Sequence, residues 1–187
     1  MKRYLHKQGE FFIAIMATMV TGLIATWLAL PIKAALPLSA TAENLIDTLL
    51  TFIISVCAIM EIAFRVGHER RTFSLRFNAV NGAVFVVWHF VFAWVCRAAW
   101  FSAGLLHFEV ADWLCWALEI QEPQGKTFPI GYYMLGVIVV DVLIIVPLTT
   151  LGNYLGARKY RAEVRKMQED HVRRMAEQGI KEKEETV

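Results

Sequence analysis

The apolar residues of this chain come in blocks of about twenty, the length of helix needed to cross a hydrocarbon layer roughly 30 Å thick. Four stretches qualify: residues 11–30, 44–64, 80–101 and 131–151. The first stops at Pro31, and the fourth carries Pro147 inside it. Strands are excluded, because a lipid-exposed sheet edge leaves N–H and C=O groups without partners, whereas a helix pairs them within the segment. Of 187 residues, 57% are hydrophobic and 19% charged, against about 45–50% and about 25% in soluble domains. The pattern excludes a soluble globular enzyme, a disordered chain and a disulfide-stapled miniprotein. The expected fold is an all-α integral membrane protein: a four-transmembrane-helix bundle with an outer interfacial helix and a C-terminal cytoplasmic helix.

The basic residues set an expected orientation, since cytoplasmic loops carry the excess of Lys and Arg. Residues 1–10 contribute Lys2, Arg3 and Lys7, and the loop after the second span contributes Arg65, Arg70, Arg71 and Arg76. Residues 157–187 hold nine more, so sixteen of the nineteen Lys and Arg fall on one side of a four-span topology. Only Lys33, Arg97 and Lys126 fall on the other. Both termini are therefore expected in the cytoplasm of a cell with an inner (plasma) membrane. Trp27, Trp94, Trp100, Trp113, Trp116, Tyr132 and Tyr133 lie near the outer boundary, as an interfacial aromatic belt does.

Residues 104–120 are too polar to span. On a helical wheel Glu109, Asp112 and Glu119 share one face, and Leu106, Phe108, Val110 and Trp113 cover much of the rest. Such a helix lies in the interface and shows its carboxylates to water. The segment 157–187 reads as a charged helix and tail, with Tyr160, Val164, Met167, His171 and Met175 along one narrow stripe. That stripe, or the faces of the spans, offers a docking surface to another membrane protein or a second copy of the chain.

Inside the spans, small and hydroxylated residues line single faces, and in lipid such faces bring helices together. They are Ala14, Thr18, Gly22, Ala25 and Ala29 in the first span, and Asn44, Thr48, Thr51 and Ser55 in the second. Asn78, Gly82, His89, Ala93 and Cys96 make the third. Cys57 and Cys96 read as small core hydrophobes, and no Cys spacing suits a disulfide framework or a metal site. Neither metal nor cofactor is expected, and no module for nucleic acid is present.

Ionisable residues in a membrane carry more information, since one at the bilayer centre costs about 2.5–3.5 kcal/mol on insertion scales. Glu61 lies one turn from Arg65 near a span end, which suits a boundary ion pair. Arg97 is close enough to the outer end to extend its guanidinium to water. Asp141 is different. It stands about ten residues from either end of its span, too deep to reach a surface at about 1.5 Å per residue. His89 sits at a similar depth in the third span, so adjacent antiparallel helices would bring the two together as an intramembrane polar site. The carboxylate favours an imidazolium while burial favours two neutral groups, a balance that responds to protons.

The segment Phe77-Asn-Ala-Val-Asn-Gly-Ala-Val-Phe85, with Val139-Val-Asp141, resembles elements of the aspartic-type membrane signal peptidases. Their second essential aspartate, in a Gly-Asn…Asp-Arg motif, has no counterpart in this sequence, and one carboxylate makes no dyad. The stretch from Glu61 to Gly82 is also similar to part of a family of small bacterial ABC-transporter permeases, a likeness that names no substrate. Enzymatic activity is not expected. Two functions remain: a non-catalytic subunit or accessory component of a membrane complex, or a small transporter or channel component using Asp141 and His89 for proton or cation coupling.

Overall fold

The computed structural model of the chain describes residues 2–36, 39–96, 110 and 136–185. Among these there is no strand. The helices are α1 (Lys2–Ala35), α2 (Ala40–Arg70), α3 (Leu75–Cys96) and α4 (Val146–Glu185), the last preceded by a π-helical turn at Asp141–Ile145. Among the described residues, four helices are long and apolar enough to cross a membrane, over Tyr4–Ala35, Leu45–Arg70, Leu75–Phe92 and Gly136–Met175. Residues 104–120, expected as the interfacial helix, lie outside the described residues apart from Val110, and so do Arg97, Glu109, Asp112 and Glu119.

The ends of the helices differ from the apolar blocks for local reasons. α1 begins at Lys2 and runs through Pro31 rather than stopping there. Membrane-type helices tolerate such a proline because local adjustment and neighbouring groups take up the freed carbonyl. In the last turn of α1, where a cation also suits the helix dipole, Lys33 forms an ion pair with Asp47 of α2. At the N-cap of α2, Ser39 Oγ accepts the Ala42 N–H at 3.3 Å, satisfying one of the free donors of the first turn. α2 is capped by Arg71, whose φ of 64° is left-handed and whose N–H bonds back to the Gly67 carbonyl. A non-glycine residue there costs about 1–2 kcal/mol; the Arg71 guanidinium lies over the Tyr160 ring at 5.1 Å, a contact that offsets part of it. Ser74 then caps α3, accepting the Phe77 N–H at its hydroxyl and the Asn78 N–H at its carbonyl.

α2 packs against both α1 and α4, while α3 leans on α1, on α4 and on the π-helical turn. Contacts fix the directions. Thr21–Ser55 and Glu10–Arg70 set α1 and α2 antiparallel, and Phe11–Phe85 with Gln8–Asn81 set α1 and α3 parallel. α2 and α4 run parallel and cross closely. Gly152 of α4 lies against Met60, Ala63 and Phe64, and Gly156 lies against Phe64 and His68. Ala63-Phe-Arg-Val-Gly67 and Gly152-Asn-Tyr-Leu-Gly156 thus form two small-xxx-small faces pressed backbone to backbone.

The α1 face expected from sequence is buried at Ala14, Thr18, Gly22, Ala25 and Ala29. Outside, large apolar side chains are bare, among them Leu23, Trp27, Val87 and Leu143, the last at 67% exposure. An apolar surface of this extent marks contact with lipid or another protein. Cys57 is exposed on that outer surface, not part of the core, because the inner face of α2 is taken by Thr51, Ser55, Ile59 and Ala63.

Candidate functional site: a buried histidine–aspartate pair

Asp141 enters the interior at the first residue of the π-helical turn, where the Val146 N–H bonds to the Asp141 carbonyl. Pro147 follows at once, lacking an N–H and crowding the carbonyl four residues back. A widened turn at that position relieves the crowding, and such single turns recur at functional sites. His89 reaches the same level from α3, about four turns in from its start at Leu75 by the ordinary helical pitch. His89 Nδ1 and Asp141 Oδ2 are 2.6 Å apart. His89 is 1% exposed and Asp141 0%. With Nδ1 carrying its hydrogen, the imidazole donates to the carboxylate.

The pair is walled by aromatic rings. Phe85 stacks on His89 with centroids 5.4 Å apart, and Phe11 of α1 stacks on Phe85 at 4.6 Å. Trp88 leans on the imidazole at 5.9 Å and donates its Nε1–H to Gln8 Oε1 at 2.7 Å. The side chain of Gln8 donates in turn to the Asn81 carbonyl at 3.1 Å. In this low-dielectric setting a charge on either partner is felt far more strongly than at a surface.

A second polar cluster lies beyond the Phe11–Phe85 stack, towards the Arg70 end of the bundle. Lys7 Nζ donates to Glu10 Oε1 at 2.9 Å and lies 4.8 Å from the Phe11 ring. The same oxygen accepts from Asn153 Nδ2 of α4. Arg70 Nη1 of α2 stands 3.2 Å from Glu10 Oε2. Lys7 is 0% exposed and Glu10 3%. Glu10 Oε2, Arg70 Nη2 and Asn78 Oδ1 are buried without a hydrogen bond among the described residues, and leftover groups of this kind suit ordered water.

The other residues singled out by sequence fall elsewhere. Arg65 Nε donates to Glu61 Oε1 at 2.6 Å, with both side chains well exposed, so the pair forms at the boundary and touches neither cluster. Glu109, Asp112 and Glu119 lie outside the described residues. His68 belongs to neither cluster. Instead it pairs with Glu163 at 2.8 Å and meets Tyr160 edge-on at 5.6 Å, because the parallel α2–α4 crossing carries both helices past the bundle together. No group of His, Cys, Asp and Glu able to hold a metal occurs among the described residues.

Reading the sequence as four apolar blocks missed Lys7, Glu10, Arg70 and Asn153, since each lies beyond a block's edge. The signal was present nonetheless. The face Ala14, Thr18, Ala25, Ala29 extends one heptad upstream to Phe11 and Lys7, and Asp141, Ile145, Thr149, Asn153 recur every fourth residue. Comparison with protein families, characterised proteins and solved structures finds no match to the chain.

Proposed function

We propose that this chain is a multi-pass membrane protein that couples to protons through His89 and Asp141, as a small transporter or channel component. The observation that carries the reading is the 2.6 Å contact of two ionisable side chains in the bundle interior. A charged aspartate costs about 2.5–3.5 kcal/mol at a bilayer centre, and helix packing alone does not require it, since Thr21–Ser55 makes an interhelical bond from uncharged groups. In this reading the pair takes up and releases protons and makes or breaks no other bond, so the protein is not an enzyme. The membrane is the inner (plasma) membrane with both termini cytoplasmic. The support is that sixteen of nineteen Lys and Arg fall in residues 1–10, the α2–α3 turn region and residues 157–187, segments that the helix directions gather at one end.

The test is reconstitution of the full chain in liposomes loaded with a pH-sensitive dye. Wild type should dissipate an imposed pH gradient, and Asp141→Asn, which retains hydrogen bonding, should slow this at least tenfold with an unchanged gel-filtration profile. Asp141→Asn matching wild type, or wild type matching empty liposomes, refutes the reading. A second reading, an accessory subunit of a larger membrane complex, draws on α4 beyond the bundle, where Met167, Val172 and Met175 are 61%, 67% and 57% exposed. Purification in mild detergent discriminates: a stoichiometric membrane partner that is lost when residues 157–187 are deleted favours it.

A further inference from the structure

The Lys7 cluster holds two cations and one carboxylate. Arg70 and Lys7 both face Glu10. Arginine keeps its charge in any protein setting, whereas lysine gives up a proton when buried. Arg70 with Glu10 is neutral taken alone, so the surplus charge is the ammonium of Lys7, the more buried of the two cations. Loss of one proton from Lys7 leaves a neutral amine still within hydrogen-bond reach of Glu10, with Asn153 bonded to the same carboxylate oxygen and the Arg70 guanidinium in ion-pair range of the other. The cluster therefore has two states that differ by a proton and share one set of partners.

We propose that Lys7 is a proton-exchange site, cycling between ammonium and amine and passing its proton to water at the Arg70 edge of the cluster. At that edge the Arg70 side chain retains 22% of its exposure, with Nη2 itself buried. The charged groups facing Lys7 are Glu10 from α1 and Arg70 from α2; α4 presents Asn153, and α3 presents Asn81 through Gln8. For its role the site rests on the proton-coupled reading above. Lys7 is the station at the arginine-rich end, His89–Asp141 is the station within, and the Phe11–Phe85 stack is the apolar barrier between them.

The experiment uses the full chain in lipid nanodiscs with 13Cε-labelled lysine, followed by NMR over a pH series. The Lys7 signal is assigned by its loss in Lys7→Arg, or in Lys7→Gln if the first variant does not fold. It should move at pH values where the other lysine signals stay fixed. In liposomes Lys7→Arg, which keeps the charge and the Glu10 partner, should cut proton flux at least tenfold. A Lys7 signal that follows the other lysines overturns the proposal, and so does wild-type flux in Lys7→Arg, because arginine rescues a cation that is only structural. A Lys7 signal that titrates apart from the rest in a protein without flux upholds the exchange site and removes the transport reading. Flux that depends on Asp141 beside a Lys7 signal that does not titrate apart does the reverse.

Discussion

Gly152→Ala tests the α2–α4 crossing at a point where the cost can be worked out. The new Cβ would stand 2.6 Å from the Ala63 Cβ, 3.0 Å from the Met60 carbonyl oxygen and 3.1 Å from the Phe64 amide nitrogen. Carbon atoms rest about 3.5–4.0 Å apart, and two of these three neighbours are backbone atoms that no rotamer change can move. The helices must separate by roughly 1 Å, and a gap of that size forfeits a quarter to a half of each dispersion contact. Overpacking of this kind costs about 1–3 kcal/mol. The same shift draws Asn153 off Glu10, and a buried polar group left short of a partner costs about 1–3 kcal/mol more. Against this, alanine in a helix returns about 0.8–1.0 kcal/mol over glycine. The net is about 3 kcal/mol, a change on the order of 10²-fold in the folding equilibrium. Reversible unfolding in mixed SDS micelles, followed by tryptophan fluorescence, measures it. Gly9→Ala is the control, since its Cβ meets nothing within 4 Å; it should be neutral or stabilising by up to about 1 kcal/mol. Equal midpoints for the two variants would refute the glycine-seated crossing.

The interhelical bond between Thr21 and Ser55, at 2.8 Å and buried, should show a coupling of about 0.6 kcal/mol, and no more than about 1.7, in a Thr21→Val, Ser55→Ala double-mutant cycle read by the same unfolding assay. Glu61→Gln and Arg65→Gln, whose side chains are 58% and 75% exposed, should each shift stability by less than about 0.5 kcal/mol. A larger loss would mean that this boundary pair is screened from solvent by something beyond the chain itself.

The class of fold was legible because backbone hydrogen bonding leaves an apolar block of that length few alternatives to a helix. The inner face of α1 was legible too, since small residues at helical spacing permit close approach. The pairing of His89 with Asp141 needed the adjacency of α3 and α4, which depth alone does not supply; the packing of Gly82 against Val146 on those helices provides it. The close crossing of α2 and α4 was written in Gly152-Asn-Tyr-Leu-Gly156, a spacing masked by the expectation that the span ends at residue 151. The Lys7 cluster was hidden for a different reason. Charged residues just outside an apolar block are ordinarily solvated, and only the third dimension, with Arg70 and Asn153 converging on Glu10, turns that edge into interior.

The widened turn at Asp141–Ile145 has a consequence for everything after it on the same helix. Its extra residue advances the phase of the helix, and a return to regular pitch would rotate Thr149, Gly152, Asn153 and Gly156 by about 100° about the axis. Gly152 and Gly156 would then leave their seats on Met60, Phe64 and His68. The seam between α2 and α4 thus acts as a detent: it holds the helix at one angular setting, and with it the aspartate that opens the wide turn.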